Sequence, residues 1–150
     1  MIVRVCTFAL CCALSPLFWP VSVLADDLWL FEVERFSTTP LSNPHDLKLS
    51  ADGRLLYVSD VGSGRVVVLD AATLEPVDAV GVGELSGPHD VDIGQDGQLY
   101  IADTHNGRVA IYSMNGTRGV LAGQLSEGMR GPEGVLVHPN GMIYVAGAWS

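Results

Sequence analysis

A segment built around a proline recurs three times along the chain at a constant spacing of 44 residues. The copies occupy residues 41–53, 85–97 and 129–141, with their prolines at Pro44, Pro88 and Pro132. A unit of this kind forms one supersecondary element that cannot bury its apolar face alone, so consecutive units must stack against each other. The chain is therefore predicted to be a repeat protein rather than a fold with one non-repeating core.

Each copy has the sequence pattern of a β-hairpin. After the proline, apolar residues alternate with other residues, which is the period of a strand with one buried face. These apolar pairs are Leu47/Leu49, Val91/Ile93 and Val135/Val137. An Asp-Gly or Asn-Gly dipeptide follows in every copy, and such dipeptides tolerate the positive φ of a tight hairpin turn. The first two copies continue with a third and a fourth strand, so each unit is predicted to be a blade of a β-propeller.

We therefore predict an all-β fold, a partial β-propeller of about two and a half four-stranded blades. The blades cover residues 41–84, 85–128 and 129–150, and the third blade is incomplete. Closed propellers have roughly four to eight blades. We expect a truncated product, or a chain that closes its ring with further blades or by self-association.

Residues 1–25 have the composition of a secretory signal peptide. Arg4 is followed by an apolar run over residues 5–19, and the small Ala25 marks the expected cleavage site. All three cysteines lie inside this segment, so the mature domain has no thiol chemistry. Cleavage predicts an extracytoplasmic protein, periplasmic or secreted, whereas an uncleaved segment would anchor the chain in a membrane. Residues 26–40 are predicted to be a lead-in strand before the first blade.

The chain is acidic, with 17 Asp and Glu residues against 8 Lys and Arg residues and a formal net charge of −9. Such a surface repels a phosphate backbone, so nucleic acid is excluded as a partner. The sequence also lacks the motifs of a serine nucleophile elbow, a zinc-protease helix and a phosphate-binding glycine loop. A protein or a small molecule remains the expected partner.

Two copies share a strand end and a turn that carry a family resemblance. The matching segments are Tyr57-Val-Ser-Asp60 with Arg65, and Tyr100-Ile-Ala-Asp103 with Arg108. They resemble the motifs of the NHL-repeat family of β-propellers, and the resemblance extends over residues 41–150. The third copy has Gly147 in place of the aspartate. We expect Asp60 and Asp103 to hold N–H groups of the turn and to pair with the arginines, so that all four act as structural turn residues.

A narrower resemblance rests on the dipeptide that follows the first two prolines. Pro44-His45-Asp46 and Pro88-His89-Asp90 resemble the Pro-His steps in the lyase domain of peptidylglycine alpha-amidating enzymes. That domain is a six-bladed propeller in which such histidines bind zinc. The resemblance implies that His45 and His89 are metal ligands, with zinc or calcium as the metal, and that the chain is truncated relative to a closed six-bladed ring.

The residues around these histidines leave their roles open. A catalytic zinc takes three protein ligands and keeps one open position, and the two histidines are one ligand short. Glu133, at the equivalent position of the third copy, is a further binding candidate. Asp46 and Asp90 either accept an imidazole N–H behind a metal site or cap backbone N–H groups. The histidines are either ligands or turn residues that hydrogen-bond neighbouring backbone.

Two functions follow from this sequence. The preferred one is a secreted or periplasmic propeller module that binds a protein or a small ligand with its blade faces or channel mouth. The alternative is a metal-dependent lyase of the peptidylglycine alpha-amidating type, incomplete in this chain. The sequence leaves open whether the protein is an enzyme.

Overall fold

The computed structural model describes residues 2–5 and 31–149, and it divides the chain into two compact units, Met1–Ser37 and Thr38–Ser150. In the first unit, strand β1 (Ile2–Val5) pairs antiparallel with strand β2 (Phe31–Arg35). Strand β2 lies within the segment predicted as the lead-in strand. Most of the predicted signal peptide falls outside the described residues. No helix in the described parts of the chain is both long and apolar enough to cross a bilayer.

The second unit contains one antiparallel sheet for each repeat. The first blade has strand order β3-β4-β5-β6, and the second has the order β7-β8-β9-β10. The strands of the first blade are β3 (Pro44–Leu49), β4 (Leu55–Asp60), β5 (Arg65–Asp70) and β6 (Pro76–Val80). Those of the second blade are β7 (Pro88–Ile93), β8 (Leu99–Asp103), β9 (Arg108–Asn115) and β10 (Arg118–Leu125).

The third repeat forms a two-stranded sheet. Its strands are β11 (Pro132–Val137) and β12 (Ile143–Gly147), paired antiparallel. In all three sheets the strands follow one another in chain order, because every connection is a hairpin or a short turn. The predicted all-β fold, a partial propeller of two and a half blades that does not close, is confirmed.

A residue in the left-handed conformation precedes each first strand, and we call the turn that it forms the start turn of the blade. These residues are Asn43, Gly87 and Gly131, with φ of 56°, 63° and 55°. The ring of His105 lies over Gly87 and that of Trp149 over Gly131, so a Cβ added at either glycine would come within 3 Å of the ring. Glycine is therefore favoured there for both its φ and its size. In the first blade Gly62 takes the place of His105, and the left-handed residue is an asparagine.

The core lies between successive blades. One buried cluster joins the first two blades and includes Tyr57 and Val91, and a second joins the second and third blades and includes Tyr100 and Val135. Tyr57 and Tyr100 occupy the same repeat position and are 5% and 8% exposed. Tyr144 occupies that position in the third blade and is 52% exposed. The tyrosine at this strand position is therefore buried in the first two blades and exposed in the third.

In the second blade, the buried carboxylate of Asp103 joins three parts of the chain. Asp103 ends β8 and has no exposed surface. Its Oδ1 accepts the backbone N–H of Ser86 in the start turn (2.7 Å), and its Oδ2 accepts Nε of Arg108 on β9 (2.7 Å). The same guanidinium donates to the carbonyl oxygen of Glu84 (3.0 Å). The aspartate therefore fixes the start of the first strand relative to the second and third strands.

Asp60 makes the equivalent contacts in the first blade. It is also fully buried, and it accepts the backbone N–H of Ser42 and Nε of Arg65, the latter at 3.0 Å. Arg65 donates in addition to the carbonyl oxygen of Pro40 (3.1 Å). In the third blade Gly147 stands at this position and supplies no carboxylate.

Replacing Asp103 by alanine should lower the free energy of unfolding by about 3–5 kcal/mol, because Arg108 and the Ser86 N–H lose their buried acceptor. Urea denaturation followed by circular dichroism measures the loss. Asp52→Ala is the matched control. Asp52 also pairs with an arginine, Arg54, at 2.6 Å, but its side chain is 49% exposed, so water replaces the contact and the effect should be far smaller. Equal losses in the two variants would contradict the structural role of Asp103.

Candidate functional site

The first strand of each blade breaks its register directly after the start-turn proline. The irregularities lie between Pro44 and Leu47, between Pro88 and Val91, and between Pro132 and Gly134. A bulge of this kind leaves a residue outside the hydrogen-bond ladder and changes the direction of its side chain. The residues that follow the three prolines are His45, His89 and Glu133. The candidate ligands of the sequence therefore sit at equivalent irregular positions at the same end of the first strands.

The structure places His45 and His89 side by side. Their ring centroids are 3.8 Å apart, with an angle of 49° between the ring planes. His45 is exposed and His89 is half-buried, so the pair remains accessible from solvent. Because β3 and β7 are first strands of adjacent blades, the fold brings together two imidazoles that are 44 residues apart in the sequence. Their role as metal ligands stays a prediction.

Glu133 does not complete a metal site with these histidines. Within residues 35–149, no three His, Cys, Asp or Glu side chains are grouped so that they could hold a metal ion. A role for Glu133 in binding stays a prediction.

Asp90 binds backbone N–H groups of two adjacent blades. Its Oδ1 accepts the N–H of Val91 in its own strand (2.7 Å), and its Oδ2 accepts the N–H of Val135 in β11 (2.7 Å). Burial raises the pKa of Asp90, the hydrogen bond from Val135 opposes that shift, and the charge of the nearby Asp46 adds to it. The amides that Asp90 caps are those of the first strands, rather than those of the start turn.

Asp92 repeats this arrangement two residues further along β7, and sequence analysis did not identify it. It accepts the N–H of Ile93 (2.8 Å) and that of Val137 (2.7 Å), and it forms an ion pair with Lys48 Nζ of the first blade (2.6 Å). Burial favours the neutral carboxyl, but the Lys48 interaction and the two amide hydrogen bonds outweigh it and lower the pKa of Asp92. One carboxylate thus contacts all three blades. The sequence signal that could have identified Asp92 is its spacing: it lies two residues after Asp90 on the same strand, and such residues point to the same face of a sheet.

Comparison with known proteins supports the NHL assignment for part of the chain. Residues 85–112, most of the second blade, match the NHL repeat family. This match agrees with the NHL resemblance of the second blade, and the solved structures below share a propeller-like fold. No comparison gives support for the narrower similarity to the peptidylglycine lyase. No curated protein matches the chain.

Three solved structures resemble the fold. Proposed 6-phosphogluconolactonases from Bacteroides fragilis and Bacteroides uniformis are each 25% identical, with TM-scores of 0.63 and 0.61, and the matches cover 75% and 78% of this chain. Hydrazine synthase from Kuenenia stuttgartiensis is 22% identical with a TM-score of 0.60, over 71% of this chain. The matches cover 34%, 36% and 31% of those chains, so this chain spans about a third of each.

Asp92→Asn should lower stability at neutral pH and make its decline on acidification shallower. The pKa of Asp92 in the folded chain lies below its ordinary value of 3.8, so its stabilisation is present above that value and is lost as the pH falls through the folded pKa. Urea denaturation from about pH 6 to about pH 3 measures the slope.

Asp90→Asn is the matched control for this measurement. The pKa of Asp90 is raised, so its contribution to stability has the opposite sign and increases as the pH falls. Its removal should make the acid decline steeper. A change of slope in the same direction in both variants would contradict the assignment.

Proposed function

We propose that this protein is an extracytoplasmic NHL-type propeller module that binds a protein or a small ligand at the end of its blades marked by His45 and His89. The observation that carries the proposal is the accessible imidazole pair, with ring centroids 3.8 Å apart. Each neutral imidazole offers one hydrogen-bond donor and one acceptor. A partner that approaches this end would meet both rings together.

The local architecture supports a binding role for this end of the blades. The two imidazoles lie within the register irregularities of their strands, whereas the rest of each first strand is held by regular pairing with the second strand. Asp90 and Asp92 tie β7 to β11 through backbone amides, and the ion pair of Asp92 with Lys48 ties β7 to β3, so the strand that carries His89 is held from both sides. Binding residues commonly lie on irregular segments that a rigid scaffold positions. The match of residues 85–112 to the NHL repeat includes His89.

The location outside the cytoplasm belongs to the same proposal. It is supported by Arg4, the apolar run over residues 5–19 and Ala25, which together have the order of a signal peptide. The three cysteines all precede the expected cleavage site, so no thiol of the mature chain would meet an oxidising compartment.

A photo-crosslinking amino acid at position 89 tests this proposal in an exporting host. We expect a crosslinked partner from position 89 and none from position 138, because His138 is exposed but lies at the hairpin turn of the third blade. Gel shift and mass spectrometry identify the product, and its N-terminus should be Asp26. Equal crosslinking at both positions, or none at position 89, would contradict binding at the histidine end.

The His45–His89 contact also favours a second candidate, a metal-dependent lyase of the peptidylglycine alpha-amidating type. Neutral imidazoles are good zinc ligands, and two of them converge here. A catalytic zinc usually has a third protein ligand, and Glu133 does not join these two histidines in a three-ligand group. The lyase therefore requires a ligand from another blade.

Metal analysis separates the two candidates. Full-length protein is dialysed against zinc or calcium, and the bound metal is counted by mass spectrometry, with His45→Ala and His89→Ala as test variants and His138→Ala as the matched control. Stoichiometric zinc that is lost in both test variants and kept in the control would support the lyase. Wild-type protein that retains neither metal would reject it and leave the binding module.

A further inference from the structure

A groove lies between the hairpin turns of the second and third blades. It has a volume of about 260 Å³, and one hairpin of each blade forms its walls. These walls include Asp96 and Tyr100 of the second blade and Val137, His138 and Ile143 of the third. Val137 and Ile143 also pack against the buried cluster between the two blades, so the groove lies directly over this joint.

The groove is separate from the imidazole pair. His89 is the second residue of β7, whereas the groove begins at Gly94, which directly follows the last residue of that strand. Neither His45 nor His89 lines the groove. A binding site at this position is therefore an addition to the proposed function and does not rest on it.

Asp96 supplies the charge of the groove. Its Oδ1 accepts the backbone N–H of Gln98 (3.1 Å), and its Oδ2 accepts Nε2 of Gln98 (2.7 Å) and the hydroxyl of Tyr100 (3.0 Å). The hydrogen bonds from the backbone and side chain of Gln98 lower the pKa of Asp96, so the carboxylate is ionised at neutral pH. Within residues 35–149, no cationic side chain forms an ion pair with Asp96. Its negative charge is therefore uncompensated.

The equivalent aspartate of the first blade is neutralised by an arginine. Asp52 lies 44 residues before Asp96 and accepts the backbone N–H and Nε of Arg54, the latter at 2.6 Å. Gln98 makes the same two contacts with Asp96, but its side chain carries no charge. The two hairpins therefore share their hydrogen bonds and differ by one positive charge, which leaves the carboxylate of the second hairpin able to attract a cation.

The other walls of the groove are apolar or neutral. Val137 and Ile143 are apolar, and Tyr100 adds an aromatic ring. His138 accepts the N–H of Asn140 at Nδ1 (3.2 Å), which is the arrangement of a neutral imidazole. Within residues 35–149, no three His, Cys, Asp or Glu side chains are grouped so that they could hold a metal ion. A single carboxylate beside apolar and aromatic walls therefore suits an organic cation better than a metal ion.

We propose that this groove binds a small organic cation, an ammonium group attached to an apolar body. The ammonium group donates to the Asp96 carboxylate, and the apolar body packs against Val137, Ile143 and Tyr100. The net charge of −9 on the whole chain attracts such a cation at long range. Because Asp96 is exposed, water competes for its carboxylate, and binding is expected to be weak, with a Kd on the order of 1 mM.

Nuclear magnetic resonance titration of full-length protein with benzylammonium tests the proposal. We expect saturable shifts of the Gln98 side-chain amide, which contacts Asp96, and of the Gly141 backbone N–H on the opposite wall. Benzyl alcohol has a similar size but no charge, and it should bind at least about threefold more weakly. Asp96→Asn and Gln98→Arg should each weaken benzylammonium binding about threefold to fivefold, which is the contribution of one exposed ion pair. Gln98→Arg keeps the carboxylate and neutralises it with the arginine of the first blade.

Asp52→Asn is the matched control, because it removes the same charge from the equivalent hairpin of the first blade. Its affinity for benzylammonium should equal that of wild type. The proposal is overturned if benzylammonium shifts neither signal, if benzyl alcohol binds as tightly, or if Asp96→Asn binds as well as Asp52→Asn does. If Asp96→Asn does not fold, Gln98→Arg decides, and undiminished binding in that variant would also overturn the proposal.

Discussion

The buried carboxylates of Asp60 and Asp103 set the geometry on which the rest of the blade depends. Each joins the start turn to the end of the second strand and, through an arginine, to the third strand. An ion taken out of water must be fully paired to be tolerated, so this part of the blade has little freedom to shift. His45 and His89 lie three residues after Ser42 and Ser86, whose N–H groups these carboxylates accept. The position of each histidine is therefore fixed, and two imidazoles that are distant in the sequence come into contact.

Much of this architecture is readable from the sequence, because repeat spacing and strand period are local properties. The 44-residue interval and the Asp-Gly and Asn-Gly dipeptides predicted the number of blades and their hairpins. The bulges after Pro44 and Pro88 were not predicted, since a bulge depends on how two strands pair and not on the pattern of either one. The contacts of Asp92 with the two neighbouring blades were not predicted for a related reason. The partners of Asp92, Val137 and Lys48, lie about one repeat away in the sequence.

The third blade shows the limit of reading function from equivalent positions. Glu133 occupies the position of the two histidines, but within residues 35–149 it does not form a three-ligand group with them. Arg54 and Gln98, by contrast, differ in charge while they make the same hydrogen bonds to an aspartate. Departures from a repeat therefore carry information that the matches do not.

The polar contacts between successive blades also bear on how stability is distributed. Asp90 joins amides of adjacent blades that are 44 residues apart, and Asp92 and Lys48 act over the same interval. No contact among these skips a blade. The free energy of such an array is close to a sum of blade terms and nearest-neighbour terms. A substitution that removes a contact between two blades should therefore destabilise those two blades, while a more distant blade keeps its hydrogen-exchange protection.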